Sequence, residues 1–157
     1  MEVFIGKRIS DLQKEDILYT TEIEGGGKMH TLIGLRDAFC SRPLKSIVIT
    51  TKKNDGIESV SFQLEGLLDV SFYKQMVDRY GKPDLLYKRG EETFREEVIT
   101  EKSNQITESK GRLVECGFEE NPLFIVWASN SFYVQILNKK EINKIDITFS
   151  QENNFFQ

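Results

Sequence analysis

Two stretches of period-two alternation constrain this chain more than anything else in it. In the first, Ile47, Ile49 and Thr51 point one way, Lys52-Lys53-Asn54-Asp55-Gly56 follows, and Ile57, Val60, Phe62 and Leu64 form the return. Alternating apolar and polar residues mark a half-buried strand, and Asn-Asp-Gly supplies the positive φ a tight turn needs. The second stretch runs from Phe132 to Phe149. Val134 and Ile136 alternate, Asn138-Lys139-Lys140-Glu141 reads as a polar turn, and Ile142, Ile145, Ile147 and Phe149 return. Both stretches predict β-hairpins.

The two hairpins share a template. Lys-Lys stands three positions after the second apolar residue in each, and each return reads Ile, two residues, then three alternating apolar positions. The offset between copies is 87 residues before the turn (134 minus 47) and 85 after it (142 minus 57). An internal duplication of a β-rich half-domain is one expectation; the other is that any two amphipathic hairpins look alike. Under duplication, Lys52-Lys53 and Lys139-Lys140 are expected at one end of the sheet, as a small basic site.

Between the hairpins lies one good helix. Asp69 can cap a segment from Val70 to Tyr80 that carries Phe72, Tyr73, Met76, Val77 and Tyr80 on one face. Gly81-Lys82-Pro83 then stops it, because glycine accepts the left-handed conformation and proline cannot continue a helix. Asp84-Leu85-Leu86-Tyr87 begins a further strand. Ile17–Glu24 and Lys28–Leu35 flank Gly25-Gly26-Gly27 and read as a third hairpin. Ser10-Asp11-Leu12-Gln13 has a capping-box arrangement for a short helix. Leu123-Phe124-Ile125-Val126-Trp127 has no wet face, which predicts a central strand covered on both sides.

The predicted class is α+β: a predominantly antiparallel sheet built from hairpins, with one main helix packed on one face. With 157 residues, 39% hydrophobic and 17 aromatic (11 Phe, 5 Tyr, 1 Trp), the chain fits a single domain with a real core. The tail 151–157 is polar apart from Phe155-Phe156 and is expected to fray.

Charge is unevenly spread. Residues 90–120 hold nine glutamates and four basic residues, a balance of 4 − 9 = −5, so the rest of the chain carries +1 of the overall −4. A solvated helix or long mobile connection is the plain expectation for this stretch. The sharper one is a docking surface for a basic partner, carried by Glu91, Glu92, Glu96, Glu97, Glu119 and Glu120. A pI near 5.2 argues against a partner gripped through bulk positive charge, such as nucleic acid.

Catalytic patterns are weak. Gly25-Gly26-Gly27-Lys28 is followed by Met29 and preceded by Glu22 where a phosphate loop needs Ser or Thr and Gly. His30 is the sole histidine, so a thiol–imidazole pair would need Cys40 or Cys116 beside it, and no spacing supports one. One histidine and two cysteines without a CxxC pair fall short of a zinc site, no EF-hand ligand pattern occurs, and no cofactor is implied. The cysteines read as reduced thiols. No basic segment followed by an apolar stretch opens the chain, and the longest apolar run, 123–128, is too short to span a bilayer, so a cytoplasmic setting is expected.

Two functional readings follow. The first is a non-enzymatic binding protein that presents a sheet face or its acidic segment to a macromolecular partner, in the manner of an inhibitor or immunity-type protein. The second is a small-ligand protein or enzyme with an apolar pocket between sheet and helix, lined by Phe72, Tyr80, Tyr87, Trp127 and His30. A deep cleft holding His30 favours the second; a filled core under an exposed sheet favours the first.

Overall fold

The local signals become elements where the turn chemistry is strongest. The computed structural model describes residues 1–12, 17–33, 38–99 and 105–152, without the side chains of 91–99 and 105–111. Eleven strands form: β1 Ile17–Glu22, β2 Lys28–Leu32, β3 Ala38–Phe39, β4 Arg42–Pro43, β5 Ile47–Thr51, β6 Ile57–Glu65, β7 Leu85–Ile99, β8 Gln105–Glu115, β9 Phe124–Ala128, β10 Tyr133–Lys139 and β11 Lys144–Ser150. Among the described residues there is one α-helix, α1, spanning Val70–Tyr80. Nine strands make one antiparallel sheet in the order β1-β2-β5-β6-β11-β10-β9-β7-β8. The predicted α+β class is the observed one. No helix among the described residues is long and apolar enough to cross a membrane.

Helix α1 begins and ends where its sequence says it should. The Asp69 carboxylate accepts a hydrogen bond from Phe72 N at 2.8 Å, and Gly81 leaves the helix at φ 82°. The first hairpin turns through Asp55 at φ 62°, with Lys52 N donating to Gly56 O at 2.9 Å. Around the three glycines, Ile23 N donates to Gly27 O at 3.0 Å and closes the third hairpin. The capping box comes two residues earlier than expected, at Arg8 rather than Ser10: Arg8 N donates to Asp11 Oδ2 at 3.3 Å, and a 3-10 turn covers Ile9–Asp11.

The strand order has the symmetry a duplication would leave. β1-β2-β5-β6 runs inward from one edge in chain order, and β7-β9-β10-β11 does the same on the other side, where β8 lies outside β7 at the edge and has no counterpart. Where they meet, Val60 faces Phe149, Phe62 faces Ile147 and Leu64 faces Ile145, a local two-fold centred on the Phe62–Ile147 pair. The side-chain template does not survive the turns, however. Ile49 pairs with Val60, but Ile136 pairs with Ile147 rather than Ile145, a slip of two residues. A 3-10 turn over Lys140–Ile142, closed by Asn143 at φ 55°, puts Ile142 at the tip, 58% exposed, whereas its template counterpart Ile57 is fully buried. The two-fold also turns one hairpin end for end, so Lys52-Lys53 and Lys139-Lys140 lie at opposite ends of the sheet, not at one. Lys52 there pairs with Glu152 at 3.0 Å, and Lys139 with Asp146.

One face of the sheet is covered. Phe72 and Met76 of α1, Met1 and Phe39 pack against Ile49, Val60, Phe62, Leu64, Ile125, Trp127, Val134, Ile136, Ile145, Ile147 and Phe149, all buried. Phe39 reaches this core from the β3–β4 ribbon, whose turn places Cys40 and Ser41 at φ 47° and 62°. Its ring lies 5.0 Å from Phe62 and 6.0 Å from Phe149.

One further expectation needs correction. The strand expected to begin at Asp84–Tyr87 forms and runs on: residues 90–99 and 105–115, expected as a helix or a connection, are paired strands, with Glu96 opposite Glu108 and Glu97 opposite Thr107. β9 is interior to the sheet as expected, with Ile125, Val126 and Trp127 buried on both faces and its ends more open: Phe124 is half-buried and Ala128 exposed. The tail is tied back at its start, where Gln151 N donates to Glu58 O at 3.0 Å and Glu152 meets Lys52, while 153–157 lie outside the described residues.

Candidate functional site

Period two in every strand means that whatever points away from α1 forms a second face. α1, Met1 and Phe39 lie on the other face. Its two halves differ. Over β5, β6 and β11 it carries Thr50, Ser59, Ser61, Gln63, Asp146 and Thr148. These bond to one another: Ser61 Oγ to Thr148 Oγ1 at 3.0 Å and Gln63 Nε2 to Asp146 Oδ1 at 2.7 Å. Over β10, β9 and β7 it is mostly apolar, with Gln135 and Arg89 among its residues. Leu137, Phe124 and Tyr87 form one row across the three strands, Gln135, Val126 and Leu85 the next, and Tyr133 flanks Ala128. Val126 is only 3% exposed and Gln135 only 8%. Leu113 of β8, 39% exposed, extends the patch beside Arg89. Contiguous apolar surface of this kind marks interaction sites.

A second feature lies at the end of the sheet near the Lys140–Asn143 turn. There the start of α1 faces a 3-10 turn over Phe118–Glu120, and Tyr73 stacks on Phe118 with ring centroids 4.0 Å apart. The groove has two lobes. One, of about 500 Å³, is walled by Leu68, Val70, Tyr73 and Phe118, with Lys74 and Glu119 at its rim. The other, of about 530 Å³, is walled by Lys88, Arg89, Leu123, Lys140 and Glu141. Asn121, Pro122 and Asn138 belong to both. Asn138 is 7% exposed; its Nδ2 donates to Pro122 O at 3.1 Å, and its Oδ1 is buried without a partner.

The residues singled out from sequence fall in different places. Glu119 lines the groove and Glu120 pairs with Lys88, a contact that lowers the carboxyl pKa and raises that of the ammonium. Glu91, Glu92, Glu96 and Glu97 belong to β7 above Tyr87, and their side chains lie outside the described residues. Of the five aromatic and histidine positions offered for a pocket, Tyr80 and Trp127 meet, with centroids 6.5 Å apart in a depression near the end of α1. Trp127 Nε1 donates to Gly81 O at 2.8 Å. Phe72 is core, Tyr87 is on the opposite face, and His30 is on β2.

His30 is held structurally. Nδ1 lies 3.0 Å from Thr20 Oγ1 and Nε2 lies 3.5 Å from Thr51 Oγ1. Burial first, then the Lys28 charge, push its pKa below the usual histidine value against a smaller opposing pull from Asp55, so the ring is neutral. Both cysteines are free, and burial is the main force pushing each thiol pKa up, the opposite of an activated nucleophile. The Cys40 thiol faces Met76 Sδ at 3.8 Å. Among the described residues no group of three or more His, Cys, Asp and Glu is placed to hold a metal ion.

The groove had no sequence signature because its walls come from four separated stretches, 68–74, 88–89, 118–123 and 138–141. The apolar half of the open face did have one, the unbroken run 123–127. Comparison with protein-family models, with curated proteins and with solved structures finds no match for this chain.

Proposed function

We propose that this chain is a non-enzymatic binding protein that takes a basic protein partner on the apolar half of its open sheet face, as an inhibitor or immunity-type protein does. The observation that carries the reading is the asymmetry of that face. Its polar half is satisfied internally by Ser61–Thr148 and Gln63–Asp146 hydrogen bonds, while Leu85, Tyr87, Phe124, Leu137 and Leu113 gather on the other half. β7 continues from this patch into Glu91, Glu92, Glu96 and Glu97, in the stretch that holds the chain's net negative charge. Apolar contact supplies affinity and the acidic strand speeds encounter. A pocket between sheet and helix is disfavoured, because Phe39, Phe62, Phe72, Met76 and Phe149 fill that space.

The test compares affinity capture by three full-length variants from cells that make the chain. Phe124→Lys with Leu137→Lys is expected to lose a discrete partner, and Val48→Lys on the polar half to keep it. Glutamine at Glu91, Glu92, Glu96 and Glu97 is expected to slow association at low salt. Equal capture by all three, with folding verified, overturns the proposal.

A further inference from the structure

The β1 edge of the sheet carries an inference independent of the apolar half of the open face. β1 has a neighbour on one side only, β2. Ile23 N donates to Gly27 O at 3.0 Å, and hydrogen-bonded and non-bonded pairs alternate along an antiparallel ladder. Tyr19 and Thr21 therefore turn their N–H and C=O toward β2, while those of Thr20 and Glu22 turn outward. The 3.0 Å approach of Thr20 Oγ1 to His30 Nδ1 agrees, because side chains come closest in the non-bonded pairs. Among the described residues nothing pairs with these four outward groups. Strands left open in this way are usually guarded by lysine, proline or a bulge. β1 contains neither lysine nor proline, and its irregularity, between Ile17 and Tyr19, leaves residues 19–22 in regular register.

Side chains along this edge are apolar and exposed: Leu18 by 65%, Tyr19 by 58%, with Ile23 beyond them. We propose that β1 pairs with β1 of a second copy of this chain, antiparallel about a two-fold axis through Thr21. The strand itself selects this partner and this register. Antiparallel pairing sets outward residue against outward residue. A two-fold through Tyr19 or Thr20 would draw the irregular step at Leu18 into the ladder, and one through Glu22 would oppose that carboxylate to itself. Through Thr21, Thr20 meets the partner's Glu22 twice, so every outward N–H and C=O of Thr20 and Glu22 in both copies is bonded. Tyr19 then lies beside the partner's Ile23, also twice, in the non-bonded pairs where side chains touch. No acid stands opposite an acid, and Glu22 already faces Lys28 across β2. A two-fold contact closes at two copies, whereas pairing β1 with β8 of the next copy would propagate without end.

Analytical ultracentrifugation of the full chain over a concentration series reads the assembly, with circular dichroism verifying the fold of each variant. A monomer–dimer equilibrium that stops at two copies is expected. Tyr19→Lys with Ile23→Lys sets like charges against each other twice and is expected to weaken the dimer by about tenfold. Tyr19→Lys with Ile23→Glu sets opposite charges against each other twice and is expected to restore it, which neither a folding defect nor a lost apolar contact would do. Val114→Lys, on β8 at the far edge, is expected to change nothing. A monomer at every concentration through the millimolar range overturns the proposal, and so does growth beyond two copies. A dimer that persists in the folded Tyr19→Lys/Ile23→Lys variant, or fails in Val114→Lys, overturns it too. Equal weakening by the like-charge and opposite-charge variants overturns the register through Thr21 and with it the proposal.

Discussion

Two phenylalanines on adjacent strand systems report the covered and open faces separately. Phe149 is fully buried and its ring lies 6.0 to 6.4 Å from Phe39, Phe62, Tyr80 and Phe132. Truncating it leaves a void those rings cannot close, and Phe→Ala in such a core costs about 3–5 kcal/mol. Phe124 is half-buried on the open face, where solvent refills the space, so its loss is mainly a transfer term of about 1 kcal/mol. With an unfolding entropy of about 2.1 cal/mol/K per residue over 157 residues, Phe149→Ala should lower Tm by roughly 12 °C and Phe124→Ala by roughly 3 °C. Thermal unfolding followed by circular dichroism, with urea titrations to obtain free energies, makes the comparison. Similar losses at the two sites would mean that a layer covers both faces, and the reasoning from the open sheet would fail.

The buried neutral state of His30 gives a pH dependence with a fixed sign. Below the ordinary histidine pKa of about 6.5 the unfolded chain takes up a proton that the native state resists, so stability falls as pH drops from about 6.5 toward 5. His30→Gln should remove that slope while leaving stability near neutral pH little changed; urea midpoints across this range check it, and an unaltered slope would assign it elsewhere. Asp69 caps α1 and also meets, at 2.8 Å, the half-buried guanidinium of Arg42, which further donates to Leu67 O at 2.7 Å and lies over the Phe72 ring. Asp69→Ala should cost about 1 kcal/mol through the lost cap, and Asp69→Asn, which keeps a capping oxygen, should recover most of it in the same denaturation assay.

What could be read from sequence was what neighbours in the chain decide. The hairpins at Lys52–Gly56 and Gly25–Gly27 and the helix from Asp69 to Gly81 each carry their turn or cap within a few residues. The β7–β8 hairpin was not legible, because glutamate-rich strands lack the local pattern and their anchor is distant: Leu85, Leu86 and Tyr87 pair with β9, some 40 residues on. The slip that exposes Ile142 depends on a turn closed by an asparagine at positive φ, which the sequence template could not distinguish from its counterpart. The β3–β4 ribbon was missed for a similar reason, since Cys40 and Ser41 adopt the left-handed region where glycine or asparagine is expected. The groove around Asn138 exists only after four separate stretches meet, so no window of sequence contains it.

The central claim is that the apolar half of the open sheet face is the working surface. A photo-activatable side chain placed at Phe124, and in a second variant at Val48 on the polar half, tests it inside cells that make the chain. The account predicts a discrete cross-linked species from position 124 and none from position 48. Cross-links of equal yield at both positions, or only at 48, would contradict it.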